Sequence, residues 1–230
     1  MQDLIIAIDG FSSTGKSTLA RSLAKELAYI HIDSGAMYRA FTLFAIQNNL
    51  IDGDEVDEDG LLNKLSEIEI HFEINPETGD NEIFLNGINV EKEIRQMQVS
   101  SKVSLIAKIT EVREMAVELQ RKLGENKRIV MDGRDIGTTV FPNADLKIFL
   151  NASAEVRAKR RYDELLNTDN PATYEEVLAN ITQRDLLDSN REVSPLKKAD
   201  DAVLVDNGLL NPKETLQKVL EIINEKFNQT

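Results

Sequence analysis

Gly10-Phe11-Ser12-Ser13-Thr14-Gly15-Lys16-Ser17 sets two glycines, a lysine and a serine in the order G-x-x-x-x-G-K-S. These residue types at this spacing fit a polyphosphate. The glycines let the backbone curl and expose its N–H groups, and the start of a following helix adds positive potential. Lys16 supplies a point charge for the β- and γ-phosphates. The Ser17 hydroxyl is a hard oxygen suited to Mg²⁺. The chemistry indicated is the binding of a phosphorylated nucleotide with Mg²⁺, with Ser17 as the metal ligand.

Arginines form a second constellation. Arg39, Arg113, Arg134, Arg157, Arg160, Arg161, Arg184 and Arg191 punctuate segments expected near the same site. Arginine grips phosphate with two parallel N–H donors. No general base accompanies them. His31 and His71 are the only histidines, both lie in strand patterns, and both read as structural or surface residues. An alcohol acceptor would benefit from a base to take its proton. A phosphate oxygen is already anionic, so its transfer chemistry needs alignment, Mg²⁺ and cations instead. A phosphate loop with scattered arginines and no base therefore fits a nucleoside monophosphate as acceptor.

The elements that must carry these residues follow from hydropathy. The apolar run Leu4–Ile8 predicts a strand and Thr18–Ala28 an amphipathic helix, so the loop sits between strand and helix. Ile30-His31-Ile32 predicts a second strand. Asp33-Ser34 caps a helix from about Gly35 to Gln47. Asn48–Asp59 reads as a loop and Leu61–Ile68 as a short helix. Polar–apolar alternation from Glu69 to Ile74, turn residues at Asn75–Asp80, then Glu82–Leu85, Asn86-Gly87 and Ile88–Val90 predict a small antiparallel meander. Helices are expected over Gln96–Ala107 and Thr110–Leu123, the second stopped by Gly124. Arg128–Asp132 and Leu146–Leu150 read as buried strands, the first ending in the polar cluster Asp132-Gly133-Arg134-Asp135. Helices over Ser153–Leu166 and Thr173–Asn190 are separated by a break at Asn167–Pro171. A strand at Ala202–Val205 and a helix opened by Pro212 complete the chain. Buried strands alternating with helices predict an α/β fold with a parallel sheet of about five strands. Ligands of such sheets sit at the carboxyl ends of the strands, which gathers the loop, Asp33-Ser34 and Gly133-Arg134-Asp135 on one rim.

Composition narrows the partners. With 230 residues, 41% hydrophobic, the chain can bury a full core as one α/β domain with a small insert. A formal net charge of −13 would repel a nucleic-acid polymer. The absence of cysteine excludes disulfides and thiolate chemistry. The N-terminal apolar run is too short to span a membrane, has no basic lead-in and ends at Asp9, so a cytoplasmic protein without membrane contact is expected. A monomer is expected.

Three further motifs carry a family resemblance over nearly the whole chain. They are Asp33-Ser34-Gly35-Ala36-Met37-Tyr38-Arg39, then Asp132-Gly133-Arg134-Asp135-Ile136-Gly137-Thr138-Thr139-Val140-Phe141-Pro142, then Arg184-Asp185 with Asp188-Ser189-Asn190-Arg191 and Ser194-Pro195-Leu196. With the phosphate loop, the chain resembles the bacterial cytidylate kinases of the nucleoside monophosphate kinase family. The resemblance implies a five-stranded parallel P-loop sheet flanked by helices, with the meander inserted in the monophosphate-binding part and a helical lid. It divides a single kinase domain into a core (1–33, 108–152 and 192–230), a monophosphate-binding region (34–107) and a lid (153–191). It implies transfer of phosphate from Mg²⁺-ATP to CMP or dCMP. Gly10, Phe11, Ser12, Ser13, Thr14, Gly15, Lys16, Ser17 and Thr18 would then bind ATP. Ser34, Arg39, Ser104, Arg113, Arg134, Asp135, Arg184, Asp188 and Arg191 would bind the acceptor, with Ser104, Arg113 and Asp135 around the cytosine and Asp188 on the ribose. Lys16, Arg134, Arg157 and Arg161 would act on the transferring group, and Arg157, Arg160 and Arg161 would belong to the lid. The chain departs from the family where phosphate loops usually carry Pro and an extra Gly and often Ala: it has Phe11, Ser13 and Thr14 there. Other classes compatible with the loop are a small-alcohol kinase, a GTPase and a nucleotide-binding protein without turnover. The guanine motif N-K-x-D is absent.

Overall fold

The structure is a computed structural model and describes residues 3–166 and 172–227. The break expected at Asn167–Pro171 lies outside the described residues. In chain order the elements are β1 (Ile5–Gly10), α1 (Lys16–Leu27), β2 (Ile30–Asp33), α2 (Ser34–Gln47), β3 (Ile51–Asp52), β4 (Glu55–Val56), α3 (Glu58–Lys64), β5 (Ile70–Ile74), β6 (Asn81–Leu85), β7 (Ile88–Asn89), α4 (Met97–Ser100), α5 (Val103–Ile106), α6 (Thr110–Leu123), β8 (Ile129–Gly133), β9 (Leu146–Asn151), α7 (Ala154–Leu165), α8 (Tyr174–Ser189), β10 (Val203–Asp206) and α9 (Pro212–Phe227). The chain forms two compact units, Met1–Ile30 with Asn126–Thr230 and His31–Glu125.

The first unit is built on the five-stranded sheet, in the order β10-β9-β1-β8-β2. The chain enters β2 at Ile30, whose amide donates to the Arg128 carbonyl at 2.9 Å. The pairs β1–β8, β1–β9 and β9–β10 are parallel. Central β1 is apolar on both faces, with Ile6, Ala7 and Ile8 fully buried, as a parallel strand covered on both sides requires. Leu19, Leu23 and Leu27 of α1 and Val219 and Ile223 of α9 pack on it. Register places Asp9 level with Gly133 and with Phe149, and Gly10 level with Leu150. The carboxyl ends of β1, β8 and β9 therefore align, and the segments that follow them lie side by side. Helices α7 and α8 pair through a small cluster of their own, Ala158, Leu165, Val177 and Ile181. A capping box of Thr173 with Glu176 opens α8.

The second unit surrounds α2, a helix apolar on nearly every face. Met37, Phe41 and Phe44 pack with Ile83 and Leu85 of β6, Ile106 of α5 and Val112 and Ala116 of α6. The expected meander is the three-stranded antiparallel sheet β5-β6-β7. Three local features differ from the sequence reading. The segment read as a loop over Asn48–Asp59 contains the hairpin β3–β4, which turns at Gly53 (φ 55°) and packs Ile51 and Val56 on the core. The helix expected over Gln96–Ala107 is two single turns, α4 and α5, separated at Ser101 and Lys102. Gly124 does cap α6, but at φ −88°, so its left-handed freedom is not what ends the helix.

Candidate active site

The phosphate loop runs from Gly10 to Gly15, between β1 and α1. Gly10 (φ 151°) lies so close to β9 that a Cβ there would collide with the Leu150 carbonyl oxygen. Gly15 is left-handed at φ 87° and is the N-cap of α1, with no side chain capping the helix. The first amides of α1 thus meet no side-chain acceptor at the cap, which leaves the positive helix end to a ligand. The loop carbonyls are held by side-chain donors. Lys16 Nζ and Thr14 Oγ1 both donate to the Phe11 carbonyl, at 2.6 and 3.0 Å. Arg157 Nη1 donates to the Ser12 carbonyl at 3.1 Å, and Asn207 Nδ2 to that of Thr14 at 2.8 Å. Holding the carbonyls in this way favours a loop whose amides face the ligand side.

Behind the loop, Ser17 Oγ donates to Asp132 Oδ2 at 2.7 Å, joining the first turn of α1 to the end of β8. A hydroxyl and a carboxylate in contact are the hard oxygen pair that suits Mg²⁺. Sequence reading named Ser17 alone; the signal for Asp132 was its place at the exit of a buried strand. No group of three or more His, Cys, Asp or Glu side chains poised for a metal occurs among the described residues.

Next to Lys16 lies the acid–base set of the first unit. Arg134 Nε donates to Asp188 Oδ2 at 2.8 Å. Arg191 reaches the same residue, with Nη1 3.9 Å from Asp188 Oδ1 and Nε donating to its carbonyl at 3.3 Å. Burial works against the Asp188 charge, but Arg134, Arg191 and Arg184 outweigh it and hold its pKa below the usual range. Burial likewise opposes the Arg134 charge, and Asp188, Asp132 and Asp185 overcome it. Lys16 is pushed well below an ordinary lysine, first by burial and then by the Arg134 charge. A lysine so placed gains an anionic partner at little further desolvation cost. Asp135, buried beside this set, accepts the amides of Thr139 and Val140 at its carbonyl, at 2.8 and 3.2 Å, and so starts the π-helical turn Ile136–Val140. Asp9 anchors that turn by accepting the amides of Ile136 and Gly137 at 2.8 and 2.7 Å. Burial raises its pKa to about 6, against the pull of those two amides.

In the second unit the expected acceptor residues divide in two. Asp33 caps α2 by accepting the Ala36 amide at 3.1 Å and pairs with Arg39 Nη2 at 2.8 Å. Arg95, which sequence reading passed over, reaches the same oxygen at 3.7 Å. Although burial acts to raise it, the Asp33 pKa is drawn down to about 2 by Arg39, Arg95 and His31. Ser34, the first residue of α2, is buried. Arg113 is 1% exposed, lies 5.3 Å over the Tyr38 ring and donates to the Ala107 carbonyl at 3.0 Å. Ser104 of α5 is half-buried.

The basic residues of α7 have distinct surroundings. Arg157 is buried against the loop. Arg160 Nη2 donates to the carbonyls of Asn207 and Leu210 at 2.7 and 3.3 Å. Arg161 is surface-exposed and pairs with Glu164 at 3.0 Å. Arg184 is half-buried on α8.

Comparison with known proteins agrees with this chemistry. The sequence model of the cytidylate kinase family matches residues 6–225. A cytidylate kinase of Flavobacterium johnsoniae is 54% identical over 225 residues, covering 98% of both chains. One from Bacteroides fragilis is 58% identical over 214 residues, 93% of both chains. Among solved structures, an uncharacterized protein from Eubacterium ventriosum shares the fold with a TM-score of 0.54 at 11% identity, over 97% of this chain and 99% of that one. With a phosphate loop, a paired Ser17–Asp132 and an arginine–aspartate set on one sheet edge, the chain belongs to the cytidylate kinase family.

Proposed function

We propose that the chain transfers the γ-phosphoryl group of ATP to CMP and dCMP, giving CDP and dCDP with ADP. The observation that carries this reading is the family match over residues 6–225, on a chain whose phosphate loop, Lys16 and Ser17–Asp132 pair fit a Mg²⁺-nucleotide. The donor's phosphates lie on the loop from Gly10 to Thr18, with Lys16 between the β- and γ-phosphates. Ser17 and Asp132 would hold Mg²⁺, which would offset charge on the donor phosphates. Arg39 serves the phosphate of the acceptor, and Arg134, Arg184 and Arg191 offer further cations to nucleotide phosphate. The acceptor oxygen carries no proton to remove, so alignment and charge neutralisation suffice. Arg161 of α7 adds positive charge as the group moves. The α7–α8 pair serves as a lid that excludes water, a competing acceptor. The protein works as a monomer in the cytoplasm.

Base choice follows from the hydrogen-bonding edge. Cytosine offers an amine donor where uracil offers a carbonyl. The Asp135 carboxylate accepts from the first and repels the second, and a site built on such a bond rejects the analogue lacking it. In Asp135→Ala the ratio of kcat/KM for CMP over UMP is expected to fall by about tenfold or more; an unchanged ratio removes Asp135 from base selection. The function itself is tested by ADP formation from Mg²⁺-ATP with CMP, dCMP, UMP, AMP, GMP and shikimate. Turnover with CMP and dCMP well above the others supports the reading. Preference for shikimate or a purine nucleotide, or no turnover, overturns it.

A further inference from the structure

Arg157 stands apart from the other basic residues of α7. It is 4% exposed, and each of its three side-chain nitrogens has a partner. Nε donates to the Ala152 carbonyl at 2.9 Å. Nη1 donates to the Ser12 carbonyl at 3.1 Å. Nη2 lies 2.7 Å from Asp185 Oδ2. The guanidinium also faces the Phe11 ring at 5.3 Å, and that ring meets Phe149 edge-on at 5.9 Å. One planar group thus joins the phosphate loop, the end of β9, its own helix and α8. A cation acting directly on a moving phosphoryl group must aim N–H groups at it. Here the fork is aimed at backbone carbonyls and a carboxylate.

The other end of the link is equally specific. Asp185 follows Arg184 and lies three residues before Asp188, which holds Arg134. Its second oxygen, Oδ1, is buried with no hydrogen-bond partner among the described residues. Arg157 bridges this part-buried carboxylate through Oδ2, and Asp185 also lies in the field of Arg134. Through Arg157, the Ser12 carbonyl and Asp185 are held by one guanidinium.

We propose that Arg157 is a positioning residue for phosphoryl transfer. It holds the phosphate loop in its nucleotide-binding shape through Ser12 and Phe11, and it ties that shape through Asp185 to the helix that carries Arg184 and Asp188. This assigns Arg157 a role that differs from the direct lid cation implied by the family resemblance. It also gives Phe11 and Asp185 roles in donor binding through their contacts with Arg157.

The test uses Arg157→Lys, Asp185→Asn and the double variant of the full-length chain. Lysine keeps the charge and loses the fork. Affinity for ATP without acceptor is measured by calorimetry, and kcat and the KM for ATP and CMP by ADP release. Thermal unfolding is followed in parallel. Each single variant is expected to weaken ATP binding about tenfold, with the double variant no weaker than the poorer single, the mark of coupled partners. The KM for ATP should rise more than kcat falls. ATP affinity equal to wild type in Arg157→Lys, with only kcat reduced, overturns the proposal in favour of a direct cation. A lowered unfolding temperature with unchanged ATP affinity overturns it in favour of a purely structural contact. Losses that add in the double variant also overturn it. If the charge variants do not fold, Phe11→Leu replaces them: it keeps the backbone and an apolar side chain but removes the ring face. About threefold weaker ATP binding supports the proposal, and unchanged affinity overturns it. Because ATP binding is read without acceptor, the result stands apart from whether CMP is the substrate.

Discussion

Two aspartates, one in each unit, lie at or next to the end of strands that lead into expected ligand-binding segments, and they carry opposite electrostatics. Asp9 of the first unit is buried among backbone amides, and burial raises its pKa to about 6. Asp33 of the second is drawn to about 2, because Arg39, Arg95 and His31 outweigh its burial. Both carboxylates organise a backbone turn: Asp9 the π-helical turn after Asp135, Asp33 the start of α2. The first unit fixes its turn with uncharged donors and tolerates a strained acid. The second fixes its turn with arginines that remain close to the surface. A donor loop held by carbonyl contacts can be rigid before nucleotide arrives, and an acid paired with one edge of an arginine orients its remaining N–H groups for a phosphate.

The sharpest way to break this comparison is at the first unit's charge. Lys16→Ala is expected to lower kcat by about 10²–10³-fold, the usual loss on removing one preorganised electrostatic group. Its folding stability should be unchanged or raised, since burial disfavours the lysine charge in the absence of nucleotide. Turnover near wild type, measured by ADP release with CMP, would remove Lys16 from the mechanism.

Asp9 gives the next largest effect. Between pH 3.8 and about 6 the folded protein keeps a proton on Asp9 that the unfolded chain has lost. Stability is therefore fully present below 3.8 and declines as pH rises through 6, by about 3 kcal/mol over the 2.2 units. Denaturant unfolding of wild type and Asp9→Asn across pH 4–7 should show that decline in the wild type alone. Parallel pH profiles would show that Asp9 is not the titrating group.

For Asp33 the sign reverses. The stability it contributes, about 2 kcal/mol for a drop from 3.8 to about 2, is present above 3.8 and lost as pH falls through 2. Asn caps a helix as well as Asp does, so Asp33→Asn isolates the ion pair from the cap. The variant is expected to raise the KM for CMP about tenfold and leave the KM for ATP within about twofold, as loss of a charge-assisted bond that orients Arg39 implies. Equal changes for both nucleotides would contradict an acceptor-side role.

Ser13 sharpens the comparison at the smallest scale. It is a non-glycine residue of the phosphate loop at φ 57°. The left-handed conformation costs about 1–2 kcal/mol, part of which glycine returns through a freer unfolded chain. Ser13→Gly should stabilise the protein by less than about 1 kcal/mol, read as a small rise in unfolding temperature. A fall would mean that the Ser13 side chain contributes more than its backbone costs.

Local sequence was enough for the parts that depend on near neighbours. The G-x-x-x-x-G-K-S loop between an apolar strand and an amphipathic helix, the buried strands, the meander and the Asp33 cap all rest on spacings of a few residues, and all are found where hydropathy and turn chemistry placed them. Other features needed partners far along the chain. Three arginines in the stretch Val156-Arg157-Ala158-Lys159-Arg160-Arg161 look alike in sequence, yet one is buried under a loop 145 residues away, one holds the segment after β10, and one faces solvent. The Ser17–Asp132 pair spans 115 residues and the Asp9–Ile136 bond 127. Helical period and strand alternation sort side chains by face. Which carboxylate or carbonyl waits on that face, and so whether a charge is shifted, neutralised or left to meet a ligand, is decided only when the sheet sets the ends of β1, β8 and β9 level.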